Sequence, residues 1–118
     1  MSDQKTISVL MTLVKKECEK GNINNAIIYL NKAIEIDPNN VFAYRLRADS
    51  KCKLGDYLGA IDDYTKAIEI FPNKPNKAYL YNYRASAKRK SGDNKGADQD
   101  DIKADKLKSM ESKYESME

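Results

Sequence analysis

The sequence predicts an all-α chain of stacked helical hairpins, and three recurrences carry that prediction. Gly21-Asn22-Ile23-Asn24-Asn25-Ala26 returns as Gly55-Asp56-Tyr57-Leu58-Gly59-Ala60 after 34 residues, and as Gly92-Asp93-Asn94-Lys95-Gly96-Ala97 after a further 37. Ala33-Ile34-Glu35-Ile36-Asp37-Pro38 returns 34 residues later as Ala67-Ile68-Glu69-Ile70-Phe71-Pro72. Tyr44-Arg45-Leu46-Arg47-Ala48 returns 37 residues later as Tyr81-Asn82-Tyr83-Arg84-Ala85. A fixed period of this length marks one supersecondary unit stacked on copies of itself, each burying an apolar face that it cannot bury alone. Stacks of this kind present extended surfaces, which moves the functional question from catalysis towards binding.

The elements follow in order. Helices are expected over about 5–19, 23–36, 41–53, 57–70 and 78–90, with a sixth from about 94 towards the C-terminus. Ser2 or Asp3 supplies the first N-cap. Gly21, Gly55 and Gly92 follow the first helix of each hairpin, where glycine accepts the left-handed conformation that ends a helix. Pro38 and Pro72 stop the second helix of the first two hairpins, because proline cannot continue the hydrogen-bond ladder. Ala26, Ala60 and Ala97, with Ala48 and Ala85, are small where paired helices must approach closely. The Asn73–Lys77 linker is three residues longer than its counterpart at Asn39-Asn40 and is expected to reset the third hairpin against the second.

These residues resemble the tetratricopeptide repeat family over roughly residues 7–108, a helix–turn–helix unit of about 34 residues. The middle copy carries the resemblance best, through Tyr44, Ala48, Leu54-Gly55-Asp56-Tyr57, Ala60, Tyr64, Ala67 and Pro72. The first keeps Gly21, Ala26, Ala33 and Pro38, and the third keeps Tyr81, Ala85, Gly92, Ala97 and Ala104. The resemblance implies a single domain over 1–118, a right-handed superhelix with repeats at about 7–40, 41–74 and 78–108 and a helical extension over 109–118. Ile61, Tyr64 and Ile68 of the fourth helix correspond to Asp98, Asp101 and Asp105 of the sixth. Carboxylates are costly to bury, so the sixth helix is expected to be a wet cap that ends the array.

Composition excludes several classes of function. The 21 basic and 18 acidic residues nearly balance, which argues against bulk attraction to nucleic acid or an anionic membrane. Histidine is absent, which removes the usual acid–base group and the commonest metal ligand. No phosphate-binding loop, Cys/His cluster or nucleophile with a histidine base is present, so no enzyme, metal or cofactor is expected. Cys18 and Cys52 are 34 residues apart at one repeat position and read as packed, reduced thiols. No stretch reaches the ~18 apolar residues of a membrane span, and Lys15-Lys16-Glu17 follows the short apolar run 7–14 where a signal peptide would have small residues. A cytoplasmic protein is expected.

Arg47 and Arg84 occupy one repeat position, and Asp63 and Asp100 each follow 16 residues later. That spacing predicts a structural ion pair across two of the hairpins, suited to the bidentate fork of arginine. Lys88-Arg89-Lys90 ends the fifth helix, where cations complement the helix dipole.

The resemblance places function on the concave surface formed by the first helix of each hairpin. The positions it implies for a peptide-binding groove are Met11 and Lys15; Phe42, Arg45, Leu46, Asp49 and Lys53; and Tyr79, Asn82, Tyr83 and Arg89. Aromatic groups beside cations suit a protein or peptide ligand that is partly acidic, with apolar anchors buried and charges at the rim. Chaperone-binding members of the family grip a C-terminal carboxylate at five groove positions, here Met11, Lys15, Leu46, Tyr79 and Tyr83. One of these is basic and none is asparagine, so no carboxylate clamp is expected. Leu107, Met110, Tyr114 and Met117 form an apolar stripe at helical spacing. A monomer with this stripe as cap extension is expected; the alternative is a self-associating assembly protein that dimerises through the stripe or the array ends.

Overall fold

The computed structural model describes residues 2–71 and 77–117, with side chains through Met110. Among the described residues six helices run in chain order: α1 (Asp3–Lys20), α2 (Ile23–Ile36), α3 (Val41–Lys53), α4 (Tyr57–Ile70), α5 (Ala78–Ser91) and α6 (Asn94–Met117). They pair as three hairpins, α1 with α2, α3 with α4 and α5 with α6, and α2 packs on α3 as α4 packs on α5. The all-α right-handed superhelix expected from the sequence is the fold. Pro72 and the linker residues Asn73 to Asn76 lie outside the described residues.

Ser2, rather than Asp3, caps α1 by accepting from the Lys5 amide, so the helix starts two residues earlier than expected. Gly21, Gly55 and Gly92 adopt φ of 82°, 81° and 98°, the left-handed turn that the sequence assigned to them. Asp56 and Asp93 then cap α4 and α6 by accepting from the amides of Gly59 and Gly96. A Cβ on either glycine would collide with the capping carboxylate. The first hairpin has Asn25 at that position. There Asn22 makes no side-chain cap and instead donates, together with Asn25, to the Glu17 carboxylate.

The core is a chain of small clusters. Leu10, Val14, Ala26, Leu30, Ala33 and Ala43 fill the first hairpin and its junction with α3. Tyr44, Ala67, Ile68 and Leu80 join α3, α4 and α5, with Ile34 of α2 packed against them. Ala48, Ala60, Tyr64 and Ala87 form a third cluster, and Ala78, Ala104 and Leu107 a fourth. Alanine at these crossings lets helix axes approach closely. Leu107, the first member of the C-terminal stripe, is therefore a core residue, while Met110 is exposed. The side chains of Tyr114 and Met117 lie outside the described residues.

The ion pairs expected across the hairpins are present and larger than expected. Arg47 donates to both oxygens of Asp63 at 2.9 and 2.7 Å, and Arg84 to both oxygens of Asp100 at 2.8 and 2.7 Å. Lys51 and Lys88, one turn further on, add a second cation to each carboxylate at 3.0 Å. Each arginine also reaches back to the preceding hairpin, Arg47 to Asn31 and Arg84 to Thr65. The carboxylates are buried and doubly countered, which is the condition under which a buried charge is tolerated.

Candidate functional site

Between α1 and α3 lies an open cavity of about 430 Å³. Its floor is Met11, Val14 and Cys18 from α1 with Phe42 and Leu46 from α3. Met11, Cys18 and Leu46 also pack against the first core cluster, so the floor is the outer skin of the core, held rigid from behind. Ser50, which completes it, satisfies its hydroxyl by donating to the Leu46 carbonyl. The rim is charged: Lys15 and Glu19 on α1, Asp49 and Lys53 on α3. Phe42 is 57% exposed, and the Arg45 guanidinium lies 4.7 Å from its ring centroid. The Arg45 Nε is buried without a hydrogen-bond partner among the described residues.

Tyr64 reaches the cavity wall from α4 by donating its hydroxyl to the Asp49 carboxylate. Burial, and then this bond, push the Tyr64 phenol far above its ordinary range. The Tyr64 hydroxyl thus stays protonated as a donor to the Asp49 carboxylate at neutral pH. Neither Val14 nor the Tyr64–Asp49 link was anticipated. The link carried a signal, since its 15-residue spacing nearly matches the 16 of the arginine–aspartate pairs.

Six expected groove residues, Met11, Lys15, Phe42, Leu46, Asp49 and Lys53, therefore line one cavity. Arg45 adjoins it over Phe42. Tyr79 and Tyr83 stand elsewhere: their rings meet edge to face at 5.7 Å, and Tyr83 also lies 6.0 Å from Tyr64. Asn82 and Arg89 turn to α6. Asn82 donates to Asp101 and accepts from Lys108. Arg89 bonds Asp98 at 3.0 Å and Asp101 at 2.5 Å. Lys88 and Arg89 thus serve carboxylates of α6 as well as complementing the end of α5. Among the described residues, no helix is long and apolar enough to cross a membrane.

Known proteins share this architecture. Residues 29–62 match a tetratricopeptide repeat family model. Human tetratricopeptide repeat protein 28 is 37% identical over 58 residues, 49% of this chain and 2% of that protein, so the chain spans a small fraction of the relative it matches. The N-terminal domain of stress-induced protein-1 from C. elegans superposes with a TM-score of 0.84 at 18% identity, covering 92% of this chain and 88% of that one. The first such domain of Spaghetti (RPAP3), bound to the HSP90 peptide SRMEEVD, superposes with a TM-score of 0.77 at 23% identity, covering 88% and 80%. In its repeated hairpins, its matched segment and its overall fold the chain is thus similar to tetratricopeptide repeat proteins.

Proposed function

We propose that this chain is a non-catalytic, cytoplasmic interaction module that binds a partly acidic peptide or protein segment in its concave groove. The observation that carries the reading is the cavity between α1 and α3, with its apolar floor, charged rim and half-exposed Phe42. An apolar floor with a few polar groups at its edge is the usual form of a ligand site, and a central anchor pocket carries most of the affinity of an interface. Peptide binding by a domain of the same fold, as in the Spaghetti complex, supports the class of ligand. The mode differs, because only Lys15 among the five clamp positions is basic; the ligand is held along its length and not by a terminal carboxylate.

The test is capture from cell extract by the natural chain and by the double variant Phe42→Ala, Arg45→Glu, with helical circular dichroism as control. Phe42 is exposed, so the variant keeps its helicity and loses the main captured protein. Undiminished recovery of that protein by a fully helical variant would place binding on another surface.

A further inference from the structure

The four rim residues are related by the repeat. Lys15 and Asp49 are 34 residues apart, as are Glu19 and Lys53, so each pair occupies one position on neighbouring groove helices with the charge inverted. All four line the same cavity. None of them takes part in an ion pair among the described residues, which form theirs elsewhere, at Asp63, Asp98, Asp100 and Asp101. Among the described residues, Asp49 accepts from the neutral Tyr64 hydroxyl alone. The cavity mouth therefore carries one cation and one anion on each groove helix, in opposite order along the two, and none of the four is in an ion pair among the described residues.

Resting on the groove reading above, we propose that the ligand is a segment of mixed charge: a large apolar residue seated on Met11, Phe42 and Leu46, with one acidic and one basic neighbour. The acidic neighbour answers Lys15 or Lys53 and the basic one answers Asp49 or Glu19. Complementary charges at a rim select among ligands that share an anchor, and like charges opposed across an interface are rejected. A uniformly acidic segment meets Asp49 and Glu19 as repulsive neighbours; a uniformly basic one meets Lys15 and Lys53. Asp49 weighs most, because it is half-buried and bonded to Tyr64, whereas Lys15, Glu19 and Lys53 are exposed.

The experiment titrates the full chain with three short blocked peptides that share a central phenylalanine. Their flanks are one Glu and one Lys, two Glu, or two Lys. Affinity is read by fluorescence anisotropy at low and high salt. The mixed peptide is expected to bind the natural chain about tenfold more tightly than either uniform one, with the margin shrinking in high salt. Glu19→Lys shifts the preference to the two-Glu peptide, and Lys53→Glu shifts it to the two-Lys peptide; both sites are exposed, so the fold is undisturbed. Equal binding of all three peptides, unmoved by either variant, overturns this inference and leaves the apolar groove standing. Failure of all three to bind the natural chain overturns the groove reading and this inference together.

Discussion

Asp63 and Asp100 stand at one repeat position, each buried at 4% exposure and each held by an arginine fork and a lysine. At Asp100, burial pushes the carboxyl up, but the hydrogen bonds from Arg84 and Lys88 outweigh it and hold the group below the usual carboxylate range. The Arg84 guanidinium is raised in turn, first by its bond to Asp100. A carboxyl depressed by folding stabilises the native state above its unfolded value, near pH 4, and loses that contribution as the pH falls through its folded value. Melting temperature should therefore fall as pH is lowered below about 4, and the Asp100→Ala variant should lose part of that acid dependence. At neutral pH the same variant leaves Arg84 and Lys88 facing an empty site, and should lose about 2–4 kcal/mol in urea denaturation. A loss within the ordinary surface range, about 0.5 kcal/mol, would show the pair to be ornamental. The arginine–aspartate pairs were legible in the sequence because the spacing occurs twice. The lysines, 12 residues before each aspartate, repeat as regularly. The bonds to Asn31 and Thr65 were not legible, because a residue that joins two hairpins has no fixed spacing: 16 residues separate Arg47 from Asn31, but 19 separate Arg84 from Thr65 across the longer linker.

Among the helices, α6 departs most from its repeats. It has 24 residues where α2 and α4 have 14, and it carries aspartates where α4 carries Ile61, Tyr64 and Ile68. In α4, Tyr64 and Ile68 are buried and Ile61 packs against the third cluster. In α6, Asp98 is 70% and Asp101 36% exposed at the side chain, both held by Arg89. The sequence revealed the wet face, since three like replacements at one helical spacing leave little choice. It did not reveal that Arg89, at the position of Cys52, would partner them. Changing Asp98, Asp101 and Asp105 to Ile, Tyr and Ile should strip Arg89 of its partners and present an apolar strip of the kind that associates. Light scattering should then report a monomer for the natural chain at micromolar concentration and larger species for the triple variant. Because Leu107 lies in the core and Met110 is the one exposed member of the stripe among the residues whose side chains are described, deleting residues 109–118 should leave the chain a monomer. A natural dimer made monomeric by the deletion would favour self-assembly over the interaction module.

At the scale of the whole molecule, the hairpins and the junctions between them share the core. The period of about 34 residues made the hairpins readable, because each unit repeats its glycine and alanine and the first two also repeat a proline. The groove was readable as a set of positions, but the sequence could not say that Met11, Phe42 and Leu46 would share a cavity while Asn82 and Arg89 turned to α6. Which hairpins a cavity falls between depends on the stacking angle, and no local pattern encodes that. The core has the same character. The cluster around Tyr44, Ala67, Ile68 and Leu80 takes Ile34 from the first hairpin and Tyr79 and Tyr81 from the third, so the middle hairpin is covered on both sides. In such arrays the free energy is approximately a sum of unit terms and nearest-neighbour terms, and about three units are needed for a stable fold. Removing residues 1–37 would uncover Val41 and Tyr44, take Ile34 from the central cluster and Asn31 from Arg47, and erase the first cluster. The natural chain should melt in one cooperative transition. The shortened chain should retain part of its helical signal but melt broadly, without a pre-transition baseline, and should bind an apolar dye. Removing only residues 109–118 controls for the effect of length and should preserve the sharp transition. A sharp transition in the chain lacking residues 1–37, within a few degrees of the natural one, would mean that the second and third hairpins fold as a unit of their own and that the first is added chiefly to build the cavity.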